Sequence, residues 1–296
     1  ITWKASKYPW PKMIWFYQAK PAMFSSGIVS NLLSLCSFTT NDIDRPYSNG
    51  NVLNFSKSGR NLRISFSESE IDYFSPMTYG LNHLATNVPN TNQLVTLARN
   101  LLPKIGISLS ELTKLKNGQP RFFFDTNEEI GTTYFLTNGT TLHNIDQRSI
   151  MFGRFLNGIR IKGIGGNGRI QYGDNNRLVQ MSIQWCRMER RKSHPTATYK
   201  QILQWLHDGR CYFPRWFYPP YQDKIDIDWT KVKHLTITDA KAYYWNPPLP
   251  ERGIPMHIYT YPFAILSATV DTGATNLNIE IDCPIIDEAK PLKTHP

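Results

Sequence analysis

Three glycines, Gly163, Gly165 and Gly168, have the G-x-G-x-x-G spacing with which a dinucleotide-binding turn cradles a pyrophosphate. That chemistry needs a helix directly after the third glycine, whose free amides and dipole hold the phosphate charge. Here Arg169-Ile170-Gln171-Tyr172-Gly173-Asp174-Asn175 follows, alternating and then turning again, so the glycines read as hairpin residues that supply positive φ. Two acidic pairs, Asp226 with Asp228 and Glu280 with Asp282, stand two residues apart and so share a strand face. Paired carboxylates serve acid-base work or calcium. The interleaved residues are isoleucines, however, which is the pattern of an amphipathic strand with outward carboxylates. No G-x-S-x-G nucleophile elbow occurs. The histidines at 83, 143, 194, 207, 234 and 257 sit near different elements, and His207, His234 and His257 are the candidate bases. His207 also has a structural explanation, as a cation at a helix C-terminus. No two cysteines or histidines have metal-ligand spacing, so neither a metal nor another cofactor is expected.

The segment Tyr212-Phe213-Pro214-Arg215-Trp216-Phe217-Tyr218-Pro219-Pro220-Tyr221 is the most unusual stretch of the chain. Its prolines forbid a helix or an interior strand, while its rings demand burial or a ligand. A stiff loop of this kind makes a pocket wall, and Tyr243, Tyr244 and Trp245 are expected to form the opposite wall. The structural alternative is a loop packed over an open sheet face. Stacking of the rings on sugars is a third use.

At 296 residues with 41% hydrophobic content the chain can build a core, as one continuous domain or as halves at 1–140 and 141–296. No apolar run reaches the length of a membrane span. The formal charge of +10 invites an anionic partner, and Arg187, Arg190, Arg191 and Lys192 cluster. The remaining lysines are interspersed with carboxylates, and the cluster lies where a strand leaves the sheet, so a solvated edge explains it better than nucleic acid. Secretion is expected on two grounds: the chain opens at Ile1 without methionine, as after signal removal, and carries sequons at Asn54 and Asn138. The four cysteines allow three pairings. Cys186, at a strand end, and Cys211, just past the next helix, are the expected disulfide, against four buried thiols.

These residues must be positioned by a recurring order of helix followed by antiparallel strands. Ser25 or Ser26 caps a helix carrying Ile28, Val29, Leu32, Leu33 and Cys36; Asn90 or Asn92 opens a second with Leu94, Val95, Leu97, Ala98, Leu101 and Leu102, ended by Pro103 and Gly106. Thr198 and Gln201 form a capping box for a third, which runs to Gly209. Strands are expected near Met13–Tyr17, Asn51–Phe55, Leu62–Phe66, Ile71–Phe74, Arg121–Phe124 and Thr133–Leu136. Around the glycines, Ile159 and Ile161, and then Val179, Met181, Ile183 and Trp185, mark the apolar faces of a meander. Leu235–Thr238, Ala242–Trp245, Met256–Tyr261, Ile265–Val270 and Leu277–Cys283 complete the set. The fold class is therefore α+β, with curved antiparallel sheets and about three helices packed on them.

A helix followed by strand, the turn Gly173-Asp174-Asn175-Asn176 and the strand Leu178-Val179-Gln180-Met181-Ser182-Ile183-Gln184-Trp185 resembles the repeat of PepSY-like and YycI-type extracytoplasmic domains. The resemblance covers about half of the chain, and the aromatic segment departs from it. It implies a domain that binds or restrains partners without catalysis. Two functions are carried forward. One is a secreted protein that binds an aromatic or apolar small molecule between aromatic walls, or else a glycan or a protein. The other is a cofactor-independent secreted oxygenase of luciferase type, in which a substrate supplies its own reactivity and the protein supplies a base and a dry pocket.

Overall fold

The computed structural model describes residues 1–76, 83–112, 129–163, 165–211, 231–246, 258–273 and 276–286. In chain order the strands and helices are β1 (Thr2–Trp3), β2 (Met13–Lys20), α1 (Ser26–Cys36), β3 (Val52–Lys57), β4 (Arg60–Ser65), β5 (Glu70–Phe74) and α2 (Thr91–Leu101). Then come β6 (Glu129–Phe135), β7 (Thr141–Gly153), β8 (Phe155–Leu156), β9 (Ile159–Gly163), β10 (Gly166–Gly173), β11 (Leu178–Trp185) and β12 (Arg187–Pro195). Last are α3 (Tyr199–His207), β13 (His234–Asn246), β14 (Ile258–Asp271) and β15 (Asn276–Pro284). Among the described residues, three α-helices and curled antiparallel sheets make this an α+β fold. Among the described residues no helix is long and apolar enough to cross a membrane.

The chain forms two compact units, one from Ile1–Gln18, Glu189–Asn246 and Tyr259–Pro296, the other from Ala19–Met188 and Pro247–Ile258. It does not divide at 140, which lies at the turn of the β6–β7 hairpin inside the second unit. The first unit has β12, β2, β14 and β13 side by side, with β15 on β14 and β1 parallel to β13. The cluster from Arg187 to Lys192 lies within β12 itself, at the end of that strand order.

In the second unit seven strands run in the order β3-β4-β5-β11-β10-β7-β6. Alternation explains the face each residue takes: Val179, Met181, Ile183 and Trp185 of β11 are buried, while Gln180, Ser182 and Gln184 are half-buried on the other side. Helices α1 and α2 bury Leu32, Leu33 and Cys36, and Leu94, Ala98 and Leu101, in one core with the sheet residues Ile64, Ile71, Ile150, Ile170 and Met181. Each helix starts where a side chain satisfies free amides. Ser25 accepts from the Ile28 N–H (3.3 Å), and Asn90 and Gln93 cap each other. In the first unit Thr198 and Gln201 do the same for α3, which buries Ile202 and Trp205.

The glycine motif is strand and turn, as its sequence context requires. Gly165 takes φ +96° in the turn between β9 and β10, and Gly168 lies on β10 directly opposite Phe152 of β7. A Cβ at 168 would collide with the Phe152 ring.

The disulfide differs from the expected one: Cys211 pairs with Cys283, their Cα atoms 4.6 Å apart, and Cys186 is a buried free thiol, as is Cys36. Cys186 ends β11 among Ala19 and Met188 of the second unit, whereas the residue that meets Cys211 arrives 72 positions later on β15. Two outcomes are expected. Gly168→Ala is expected to lower stability by about 1–3 kcal/mol through overpacking against Phe152, and an unchanged urea midpoint would refute the tight fit. Cys283→Ser is expected to cost about 2–4 kcal/mol, a loss that a reductant should reproduce in the unaltered protein.

Candidate functional site

The first unit gathers aromatic side chains on one face of its sheet. On β13, Tyr243 and Trp245 point the same way because they are two residues apart. Directly opposite them on β14 stand Phe263 and Tyr261. Tyr243 stacks on Phe263 (centroids 5.9 Å, planes 30° apart), and Trp245 meets the same ring edge-on at 6.4 Å. The row continues across β2, where Phe16 is edge-on to Tyr261 at 6.1 Å, and ends at His194 of β12, 4.9 Å from Phe16. All of these rings are half-buried, so each keeps part of its surface in solvent. Lys241 and Asp239, farther along β13, border the row with an exposed ion pair; the Lys241 ammonium holds the Asp239 carboxyl below its usual range.

Tyr244 departs from the expected wall. It is fully buried, its ring edge-on to Tyr17 at 5.3 Å, because alternation turns it away from its two neighbours. Burial raises the pKa of its hydroxyl. The rest of the expected wall, Tyr212, Phe213, Arg215, Trp216, Phe217, Tyr218 and Tyr221, lies outside the described residues, as do His257, Asp226, Asp228 and the strand expected at 121–124. Phe16, Tyr261, Phe263 and His194 complete the row without having been grouped with it. Their signal was present as alternation within strands, but which strands are neighbours is not readable from any one of them.

The other candidates do not converge on that row. His207 is exposed in the last turn of α3, and exposed His234 bonds through Nε2 to the Thr2 hydroxyl at 2.8 Å. Glu280 is exposed and Asp282 half-buried on β15, with Ile281 fully buried between them. In the basic cluster the Arg190 guanidinium lies 3.4 Å from the Trp15 ring centroid, and Arg191 pairs with Glu189 and Gln18. Asn54 is half-buried on β3, with its amide donating to the Tyr47 carbonyl. Asn138 is exposed in the β6–β7 turn, accepting from the Thr140 hydroxyl at 2.6 Å. Among the described residues no group of three or more His, Cys, Asp and Glu side chains comes together to hold a metal ion.

The second unit contains a hollow of about 230 Å³ beside a buried charge that the sequence did not disclose. Arg154, just past β7, has a side chain only 5% exposed. Its Nη2 donates to Glu111 Oε1 at 2.9 Å, its Nη1 donates to the Cys186 carbonyl, and its guanidinium lies 5.3 Å from the Trp185 ring centroid. The Trp185 indole N–H closes the set by donating to Glu111 Oε2 at 2.7 Å.

No family model matches the chain, and no curated protein matches it. It is similar in structure to a protein described as "Crystal structure of an uncharacterized protein from Eubacterium rectale ATCC 33656 at 1.45 A resolution". The TM-score is 0.43 at 8% identity, over 95% of this chain and 84% of that one.

Neither free thiol is placed to act as a nucleophile. Burial pushes the Cys36 thiol up to about 12 and also raises Cys186, which a bond with Ser69 only partly offsets. Cys36 is therefore expected to stabilise the fold fully below its ordinary value near 9 and progressively less as pH climbs towards 12, since only the unfolded chain ionises it readily. In a thiol-reagent assay at pH 8 both cysteines should stay silent until the protein is unfolded; prompt labelling of either in the native state would contradict this burial.

Proposed function

We propose that this is a secreted binding protein whose ligand, an aromatic or otherwise apolar small molecule, lies against the half-exposed rings of Tyr243, Trp245, Tyr261 and Phe263. The observation that carries the reading is the continuous aromatic row itself. Rings two apart on one strand, facing rings two apart on its neighbour, give a contiguous apolar platform of stacked and edge-on rings. Buried rings would be explained by packing alone, but these retain solvent-facing surface. The Lys241 and Asp239 pair at its border supplies polar contacts for one end of such a ligand. The Cys211–Cys283 disulfide supports an oxidising compartment. The helix, turn and strand order that resembles partner-binding extracytoplasmic domains supports binding over catalysis, and no observation on this platform favours the oxygenase.

The test uses 8-anilinonaphthalene-1-sulfonate as the aromatic probe, with its fluorescence and fluorescence polarisation read on the folded protein. Trp245→Ala is expected to weaken binding about three- to tenfold, in line with roughly 0.5–1.5 kcal/mol per aromatic contact, with an unchanged circular dichroism spectrum. Equal affinity in the folded variant, or no binding to the unaltered protein, would remove the platform as the site.

A further inference from the structure

The hollow of the second unit has walls of two kinds. Phe24 and Ile28 of the α1 region, Ile107 after α2, and Ile183 and Trp185 of β11 are apolar. Its polar side chains are almost all committed elsewhere. Ser69 accepts from the Ala22 N–H at 2.7 Å, Arg154 is held by Glu111 and Cys186, and Arg187 is exposed at the rim. Glu111 is different. Its side chain is 32% exposed, and each carboxylate oxygen accepts one bond from the protein, from Arg154 and from Trp185. An ionised carboxylate has about four acceptor positions, so about two remain to be filled.

The charge balance then restricts what can fill them. Arg154 already matches the Glu111 charge, and Arg187 at the rim repels a second cation. An anion would meet the open lone pairs of Glu111. What fits is an uncharged molecule with one hydrogen-bond donor on an apolar body. Size narrows it further, because an apolar cavity of about 150 Å³ takes one benzene ring, and about 230 Å³ leaves room for a fused bicycle. We propose that this hollow binds a small neutral heteroaromatic or phenolic molecule of indole type, with its N–H or O–H donating to Glu111 and its ring lying between Ile28, Ile183 and Trp185.

The experiment titrates the ¹⁵N-labelled full chain with indole and, separately, with 1-methylindole, which keeps the ring and lacks the donor. Indole is expected to move the Trp185 side-chain N–H resonance, and 1-methylindole to bind at least about tenfold more weakly, the effect of one bond to a charged acceptor. Ile28→Trp, which adds bulk from the half-exposed face of α1, is expected to abolish the indole response while the protein stays folded. Trp245→Ala is expected to leave it unchanged, which separates this site from the platform in the first unit. Equal affinities for the two indoles, a silent Trp185 resonance, or full binding by Ile28→Trp would each overturn the proposal.

Discussion

Among the described residues, two helices of eleven residues lie against a sheet of seven strands, and the way the rest of the sheet is shielded shapes much of the second unit. Helices laid side by side shield about 20 Å of sheet, at roughly 10 Å each. Seven strands at about 4.8 Å spacing reach nearly 30 Å across. The sheet makes up the difference by curling, and short pieces of chain after α2 add Ile105, Ile107 and Leu112 to the cover. The hollow lies beside Glu111 and the end of β11. The Arg154, Glu111 and Trp185 set fixes the same corner. It ties the turn at Leu109–Glu111 to the sheet, and the backbone bridge between Leu112 and Arg154 reinforces it.

Such a part-buried ion pair is weak evidence of added stability, because desolvating the Arg154 charge offsets much of what the attraction returns. Its value here is geometric. The guanidinium, the indole and the carboxylate each contact the other two, which fixes their relative placement at one corner of the hollow. The aromatic row of the first unit is placed differently. Its rings stand on adjacent, hydrogen-bonded strands, and the register Tyr243 to Phe263 and Trp245 to Tyr261 sets their spacing.

Local signals were legible wherever the deciding chemistry lies within a few residues. The caps at Ser25, Asn90 and Thr198, the alternation of β11 and the strand-and-turn character around Gly165 were all readable, as was the α+β class that follows from them. Pairing over long separations was not. Cys211 finds Cys283, and Arg154 finds Glu111, only because segments distant in sequence become neighbours. The long strands also read as pairs of shorter ones. A bulge near Thr238 interrupts the alternation of β13, and Pro262, which cannot donate to a ladder, sits inside β14. In each case the pairing of β13 with β14 continues past the interruption. Tyr244 was misplaced for a related reason: three consecutive aromatics on a strand cannot all face one side.

The second unit interrupts the first between β2 and β12. During synthesis β2, with its run Met13-Ile14-Trp15-Phe16-Tyr17, therefore emerges about 170 residues before β12 and about 240 residues before β14, the later of its two sheet neighbours. At about 5–20 residues per second this wait is roughly 12–48 s on the ribosome. Most of the second unit emerges within that interval, and β2 gains β12 before it gains β14. The connectivity thus brings β2 and β14 together only after the strands of the second unit have been made.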